Sequence, residues 1–147
     1  MSSSPTFSWY DECELEIHMQ KYVLLIEDDI FLSKVYTLKL SKQDISLVVL
    51  ENGKDAIEYI RKDSKELPAL VILDLMLPQV SGFEVLEEMK KTLDWSSVPV
   101  IILTNLGQES DKKKAQDLGA NGYFIKADTA LTDVLKEIEK YVRLSGT

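Results

Sequence analysis

Apolar residues along this chain occur in short blocks of strand length. The most apolar block, Ala69–Leu73, has five consecutive residues without a polar side chain and is followed directly by Asp74. A strand that is apolar at every position is buried on both faces, which is typical of a parallel sheet covered by helices. Asp74 would then lie at the C-terminal edge of the sheet, where open α/β sheets bind ligands. The alternative is that Asp74 only turns the chain after the strand.

The same order, an apolar block followed by a helical pattern, recurs five times from Tyr22 onward. Strands are predicted over Tyr22–Ile26, Ser46–Leu50, Ala69–Leu73, Val98–Leu103 and Tyr123–Ile125. Helices are predicted over 30–42, 53–64, from Gly82 through Met89, over 108–118 and over 131–142. Five successive βα units predict an α/β fold, a doubly wound parallel sheet with helices on both faces.

Three helices differ in how clearly their apolar side is marked. The helix over 30–42 is predicted from the helical spacing of Phe31, Val35 and Leu38 and of the neighbouring Leu32 and Tyr36. The helix over 131–142 has the cleanest amphipathic pattern of the chain. The helix over 108–118 has only Ala115 and Leu118 on its apolar side, so we expect it to be held least firmly.

Composition excludes several classes of function. The 147 residues include 17 basic and 25 acidic side chains, a net charge of −8, which is poorly suited to binding nucleic acid or an anionic membrane. No apolar run approaches the roughly 18 residues of a membrane span, and no secretory signal precedes the first strand. A single cysteine, Cys13, excludes an internal disulfide, and a single histidine, His18, argues against a zinc site. We therefore expect a cytoplasmic protein.

The ends of the chain differ from its centre. Residues 1–20 begin with a Ser/Pro-rich stretch, continue with an acidic one and show no clear periodicity. They are predicted to be a flexible N-terminal extension. The repeating pattern predicts one domain over 21–144, and residues 145–147 are expected to be a short tail.

Polar residues follow four of the five predicted strands. The first strand ends in Glu27-Asp28-Asp29, the third in Asp74, the fourth in Thr104 and the fifth in Lys126. These ends share one edge of a parallel sheet, so the side chains are predicted to converge. Clustered carboxylates repel one another, and a bound Mg²⁺ relieves that repulsion. A metal, a hydroxyl and an ammonium beside a carboxylate suit phosphoryl transfer, with Asp74 as the nucleophile that forms an aspartyl phosphate.

Each of these residues also has a simpler explanation. Asp28 and Asp29 are good helix N-caps, the Thr104 hydroxyl would suit a backbone hydrogen bond, and Lys126 would suit a solvated loop. Their joint occurrence at strand ends of one domain favours the site.

Several stretches together resemble the receiver domain of the two-component response regulator family, over about residues 21–144. The matching stretches are Val23–Asp29, Asp74–Gly82, Thr104, Leu118–Ala120 and Gly122–Lys126. The resemblance implies a flavodoxin-like fold with strand order 2-1-3-4-5, an order carried over from the chemotaxis member of this family. It also implies that Asp74 receives a phosphoryl group from a histidine kinase or a histidine phosphotransfer protein.

The resemblance further implies roles for the residues around Asp74. Asp28 and Asp29 would be the acidic pair, and Asp29 and Asp74 would bind Mg²⁺ together with the backbone carbonyl of Met76. Replacing Asp29 is therefore expected to weaken Mg²⁺ binding and to relieve repulsion in the metal-free site.

The remaining implied roles concern the phosphoryl group and the output. Thr104 and Lys126 would hold the phosphoryl group. Tyr123 would be the aromatic switch that changes the surface between residues 106 and 143, to which a downstream protein would bind. We expect no output domain after the last helix, and therefore signalling through protein binding.

Two positions depart from the family pattern. Ala127 follows Lys126 where proline is usual, and Asn105 follows Thr104 where a small residue is usual. Asn105 is expected to crowd the phosphoryl site. The Lys126–Ala127 peptide bond is expected to be trans, with a shifted loop after it, because a cis bond before Ala costs about 3–4 kcal/mol.

Three other functions compete with this interpretation. A degenerate receiver, which folds and binds proteins without being phosphorylated, is the closest alternative. A haloacid-dehalogenase-type phosphatase needs a second Asp two residues after the nucleophile, where this chain has Met76. A flavodoxin-like cofactor binder needs a Ser/Thr/Gly-rich loop where this chain has three carboxylates, which would repel a phosphate.

Overall fold

The chain folds into five βα units. The computed structural model describes residues 22–62 and 66–146, without the side chains of 144–146. The predicted extension over 1–20 and the final residue lie outside the described residues. The strands are β1 (Tyr22–Ile26), β2 (Ser46–Leu50), β3 (Leu70–Leu73), β4 (Val100–Thr104) and β5 (Gly122–Ile125). The helices are α1 (Ile30–Ser41), α2 (Gly53–Arg61), α3 (Gly82–Lys91), α4 (Glu109–Asp117) and α5 (Leu131–Gly146).

All strand pairs are parallel, and their order is β2-β1-β3-β4-β5. The predicted fold class and strand order are therefore confirmed. β1 and β3 are neighbours near the centre of the sheet, and they bring Ile26 opposite Leu73 at their last paired position. The residues that follow, from Glu27 and from Asp74, consequently leave the sheet side by side.

Alternate residues of each central strand enter two separate cores. Val71 and Leu73 of β3 face the core beneath α2, α3 and α4, whereas Leu70 and Ile72 face the core beneath α1 and α5. This two-sided burial explains why β3 has no polar position, because either face would place a polar group in an apolar core. Functional groups are thereby restricted to the strand ends.

The structure shifts several element boundaries by one to four residues. β4 begins at Val100 instead of Val98, because a short 3₁₀ turn over Trp95–Ser97 precedes it. The last helix continues to Gly146, past the domain boundary that we expected at 144. Among the residues that the structure describes, no helix has the length and apolarity to cross a membrane.

The apolar pattern that predicted α1 marks its buried face only in part. Phe31 is 77% exposed and Leu38 is 57% exposed, while Tyr36 and Leu40 are buried. Asp29 caps this helix by accepting the backbone N–H of Leu32. Tyr36 and Leu40 pack in the core beneath the helix, and Phe31 and Leu38 lie on its outer side.

The loop between β3 and α3 is held tightly from two sides. A Cβ atom at Gly82 would lie 2.2 Å from the backbone oxygen of Asp74, and one at Gly53 would lie 2.4 Å from the backbone oxygen of Val80. The first turns of α3 and α2 can approach this loop only because both residues lack a side chain. Ser81 forms a capping box with the third residue of α3 and starts that helix at the same place.

We predict that Gly82→Ala destabilises the fold by roughly 1–3 kcal/mol or more, because the added methyl meets backbone that cannot move aside easily. Gly122→Ala is the matched control, since its Cβ would have its nearest neighbour at 3.6 Å. Chemical denaturation monitored by circular dichroism compares the two variants. Equal stabilities would show that the loop after β3 is not tightly packed against α3.

Candidate functional site

Asp74 lies at the centre of the sheet edge that β1, β3, β4 and β5 share. It follows β3 directly and is only 4% exposed. Its Oδ1 atom accepts the backbone N–H of Met76 at 2.9 Å. Its backbone N–H donates to the carbonyl of Ile26 at 3.1 Å. The carboxylate is therefore fixed by its own turn and by β1.

Lys126 connects the end of β5 to two carboxylates. Its Nζ lies 2.7 Å from Oδ2 of Asp74 and 2.6 Å from Oε1 of Glu27. Since β4 separates β5 from β3, the lysine needs its long side chain to reach Asp74. The solvated-lysine alternative is thus excluded by these ion pairs. The predicted convergence of Asp74 and Lys126 is confirmed.

Three carboxylates form one group at this edge. Oxygen atoms of Glu27, Asp28 and Asp74 all lie within 4.8 Å of one another. Asp29 is not part of this group, and the prediction that it joins Asp28 and Asp74 is wrong in this respect. The exposed Asp29 carboxylate instead caps α1, and its backbone N–H donates to Oε2 of Glu27 at 3.1 Å. Glu27, the residue that directly follows β1, takes the predicted place of Asp29.

Burial dominates the electrostatics of Glu27. Desolvation raises the pKa of this carboxyl to about 7, the nearby Asp74 carboxylate acts in the same direction, and the hydrogen bond with Lys126 opposes both. Burial alone would lower the pKa of Lys126, but its hydrogen bonds with Asp74 and Glu27 outweigh that effect and the pKa is raised. The ammonium therefore stays charged at neutral pH.

The charge balance of the group suits a divalent cation. With all groups ionised, three carboxylates and one ammonium leave two uncompensated negative charges. The donor atoms are all carboxylate oxygens, which are the ligands that hard cations such as Mg²⁺ prefer. The exposed Asp28 leaves the group open to solvent on one side, whereas Glu27 and Asp74 close the other. The donor set fits a divalent metal, while the Met76 carbonyl as a further ligand stays a prediction.

Thr104 and Tyr123 lie on either side of the loop that follows β4. Thr104 is completely buried, and its Oγ1 accepts the backbone N–H of Leu106 at 3.4 Å. The Tyr123 hydroxyl donates to the carbonyl of Leu106 at 2.7 Å. Desolvation, helped by the charges of Asp111 and Asp74, raises the pKa of Tyr123. Both predicted residues therefore bind the same loop residue.

The two unusual residues of the sequence meet each other. Oδ1 of Asn105 accepts the backbone N–H of Ala127 at 3.2 Å. The Asn105 amide oxygen is thus bound to the loop after β5, and its crowding of the phosphoryl site stays a prediction. The Lys126–Ala127 bond is trans, as predicted, since the described residues contain no cis peptide. Lys126–Asp128 form a 3₁₀ turn.

Sequence comparison assigns the family. The model of the response regulator receiver domain matches residues 23–139. The chain belongs to this family. The probable transcriptional regulator ycf27 of Guillardia theta is 30% identical over 130 residues, which are 88% of this chain and 47% of that protein. The uncharacterized transcriptional regulatory protein YkoG of Bacillus subtilis is 33% identical over 126 residues, which are 86% of this chain and 53% of that protein. The receiver thus spans about half the length of these curated relatives.

Solved receivers have the same architecture. The Mn²⁺-bound form of response regulator Rcp1 is 31% identical and superposes with a TM-score of 0.70, over 82% of this chain and 90% of that one. A receiver domain protein of Methanospirillum hungatei superposes with a TM-score of 0.74 at 21% identity, over 85% of this chain and 95% of that one. The second likeness supports the fold alone.

We predict that Asp28→Asn and Glu27→Gln each weaken the binding of Mg²⁺ or Mn²⁺ roughly tenfold or more, because each removes a charge from the donor group. Asp29→Ala is the matched control for a neighbouring carboxylate. It should cost about 1 kcal/mol of stability through the lost helix cap and change metal affinity less than about threefold. Isothermal titration with each metal and thermal melts measure both quantities. A larger loss of affinity in Asp29→Ala than in Glu27→Gln would restore the original assignment.

Proposed function

We propose that this receiver accepts a phosphoryl group on Asp74 from a histidine kinase or a histidine phosphotransfer protein, and signals through a surface between residues 106 and 143. The observation that carries the proposal is the environment of Asp74. A buried carboxylate is paired with Lys126 at 2.7 Å and lies within one acidic group with Glu27 and Asp28. It is paired with a cation and lies next to the exposed Asp28, as suits a carboxylate nucleophile at the edge of the sheet.

The reaction balances with the groups present. A carboxylate oxygen of Asp74 attacks the phosphorus of a phosphohistidine, a P–O bond forms and the P–N bond breaks. The electron pair leaves with the imidazole nitrogen, which takes a proton from solvent. The product is an acyl phosphate on Asp74 and a free histidine on the donor. Among the side chains of this protein, the reaction changes the covalent bonds of Asp74 alone.

Lys126 and Thr104 act on the charge of the phosphoryl group. The Lys126 ammonium, which already pairs with Asp74, would also bind a phosphoryl oxygen attached to that carboxylate. The Thr104 hydroxyl would donate a hydrogen bond once it rotates from its present contact with Leu106. Lys126 is already in place beside Asp74, so the reorganisation needed at the moment of transfer is limited to the Thr104 hydroxyl.

Glu27, Asp28 and Asp74 would hold the Mg²⁺ ion of this site, together with the Met76 carbonyl. When bound, the ion adds positive charge where the transferred group is most negative. The protein's own contribution is to keep three carboxylates together at a cost in repulsion that Lys126 reduces.

The alternative is a degenerate receiver that binds proteins without phosphorylation. The unusual residues Ala127 and Asn105 suggested this alternative. In the structure they form a hydrogen bond with each other, and Lys126 nevertheless remains paired with Asp74. The chain would act as a phosphoacceptor and not as an enzyme on a separate substrate. With its net charge of −8, it would bind proteins and not nucleic acid directly.

We predict that acetyl phosphate and Mg²⁺ convert the protein to a phosphorylated form, and that Asp74→Asn abolishes this form. Asp94→Asn is the matched control, because it changes an exposed carboxylate that precedes β4 at the opposite edge of the sheet. Phos-tag electrophoresis and intact mass measure the phosphate. If the wild-type protein gains none, the degenerate receiver is the better assignment. If Asp74→Asn still gains one, a different residue is the nucleophile.

The Tyr123 hydroxyl offers a route for output. It binds the Leu106 carbonyl, and the N–H of the same residue binds Thr104. Moving the Thr104 hydroxyl to a phosphoryl group would free one end of this loop residue and alter the contact at the other. α4, whose sole buried residue is Ala115, is the helix most readily displaced by such a change.

We predict that beryllofluoride, a mimic of the phosphoryl group, shifts the NMR resonances of residues 104–126 more than those of residues 53–62. Tyr123→Phe should reduce the shifts near Leu106, because it removes the hydroxyl that binds the loop, while phosphorylation of Asp74 continues. Larger shifts in α2 than in 104–126, or identical spectra of wild type and Tyr123→Phe around Leu106, would place the responsive surface elsewhere.

A further inference from the structure

One side-chain hydrogen bond joins the residues that follow the two phosphoryl-binding positions. Asn105 comes directly after Thr104 at the end of β4, and Ala127 comes directly after Lys126 at the end of β5. Oδ1 of Asn105 accepts the N–H of Ala127 at 3.2 Å. Thr104 and Ile125 are the last paired residues of these two strands. The asparagine therefore extends the contact between β4 and β5 beyond the sheet, by using a side-chain acceptor.

We propose that Asn105 is a positioning residue for phosphoryl transfer, which fixes the turn that carries Lys126 by accepting the N–H of Ala127. The inference rests on the function proposed above. Within the described residues, Asn105 forms no hydrogen bond with Asp74, so its proposed role is exerted through the turn that carries Lys126.

The turn after β5 needs such a contact. Residues Lys126–Asp128 form a single 3₁₀ turn, and no side chain of the described residues caps its start. The ammonium of Lys126 must nevertheless be placed within 2.7 Å of both Asp74 and Glu27. A lysine side chain is flexible, so its stem must begin at a fixed place if the ammonium is to be held accurately. A displacement of about 1 Å at a reacting group is enough to slow a reaction substantially.

The bond depends on one acceptor and one donor. Ala127 supplies a backbone N–H that proline at the same position would lack. Asn105 supplies a carbonyl oxygen, and a leucine of similar size would not. Both residues are exposed, so water competes for each group and the effect should be moderate.

Amide exchange tests the bond itself. In wild-type protein the Ala127 N–H should exchange more slowly than in Asn105→Leu, by about two- to tenfold, the range that one neutral hydrogen bond contributes. Asn105→Asp keeps the acceptor oxygen and should keep the protection. Equal exchange of the Ala127 N–H in wild type and Asn105→Leu would overturn the proposal.

Phosphorylation by acetyl phosphate tests the consequence. Asn105→Leu should lower the maximal rate of Asp74 phosphorylation about two- to tenfold and leave the Mg²⁺ dissociation constant within about twofold, because the metal is held by carboxylates that Asn105 does not contact. If Asn105→Leu instead loosened the fold in general, the phosphorylation rate would fall and the Mg²⁺ dissociation constant would rise together. Asn121→Leu is the matched control. Asn121 also accepts a backbone N–H through Oδ1, that of Val100, but it joins β4 and β5 at the opposite edge of the sheet from Asp74. It should lower stability and leave the rate unchanged.

A double-mutant cycle with Ala127→Pro separates the hydrogen bond from other effects of Asn105. If the bond to Ala127 carries the effect, Asn105→Leu should slow phosphorylation of the otherwise wild-type chain and have no further effect in the Ala127→Pro variant. An equal effect in both backgrounds would overturn the proposal and leave the proposed function intact. If the wild-type protein is not phosphorylated at all, the proposed function and this inference both fail.

Discussion

The site depends on one ammonium placed between two buried carboxylates. Glu27 and Asp74 are 1% and 4% exposed, and their oxygens belong to one group within 4.8 Å. Two desolvated carboxylates at this separation repel each other strongly and would favour the uptake of a proton by one of them. Lys126 offsets this repulsion by pairing with both. The charge balance around the proposed nucleophile thus follows from the position of one side chain.

The sheet order determines how that side chain arrives. β1 and β3 are neighbours, so Glu27 and Asp74 emerge side by side, while β5 is one strand further from β3 across β4. A short basic group at the end of β5 would not reach. Apart from Tyr22 at the start of β1 and Thr104 at the end of β4, the central strands have no polar side chains because both faces are buried, so the reacting groups must be collected from different strand ends. The loops that carry them are then under packing constraints, as the close approach of Gly82 to Asp74 shows.

Sequence patterns predicted the features that depend on burial. They missed the features that depend on the direction in which an individual side chain is turned. Uninterrupted apolar blocks indicated the parallel sheet, and the residue after each block indicated the site, since both follow from periodicity. The choice of Asp29 over Glu27 was wrong because consecutive carboxylates are equivalent in a sequence. The two carboxylates differ in the folded protein, because Asp29 caps α1 whereas Glu27 is buried against the sheet.

The same limit applied to contacts between distant positions. Asn105 and Ala127 were each recognised as unusual, and both follow predicted strand-end residues, but the strand pattern does not indicate which side-chain atom accepts which backbone N–H. Apolar spacing indicated α1 correctly but its buried face only in part: Tyr36 is buried and Phe31 and Leu38 are exposed, because spacing alone does not decide which of two neighbouring apolar stripes meets the sheet.

The loop after β4 combines these constraints in three consecutive residues. Thr104 accepts the N–H of Leu106, Asn105 accepts the N–H of Ala127, and Leu106 accepts the hydroxyl of Tyr123. Each bond contributes roughly 1 kcal/mol, so together they amount to a few kcal/mol, which is the size of the gap between two conformations that a local event can reverse. A new charge on Asp74 would compete directly for the Thr104 hydroxyl, and the other two bonds connect that competition to β5.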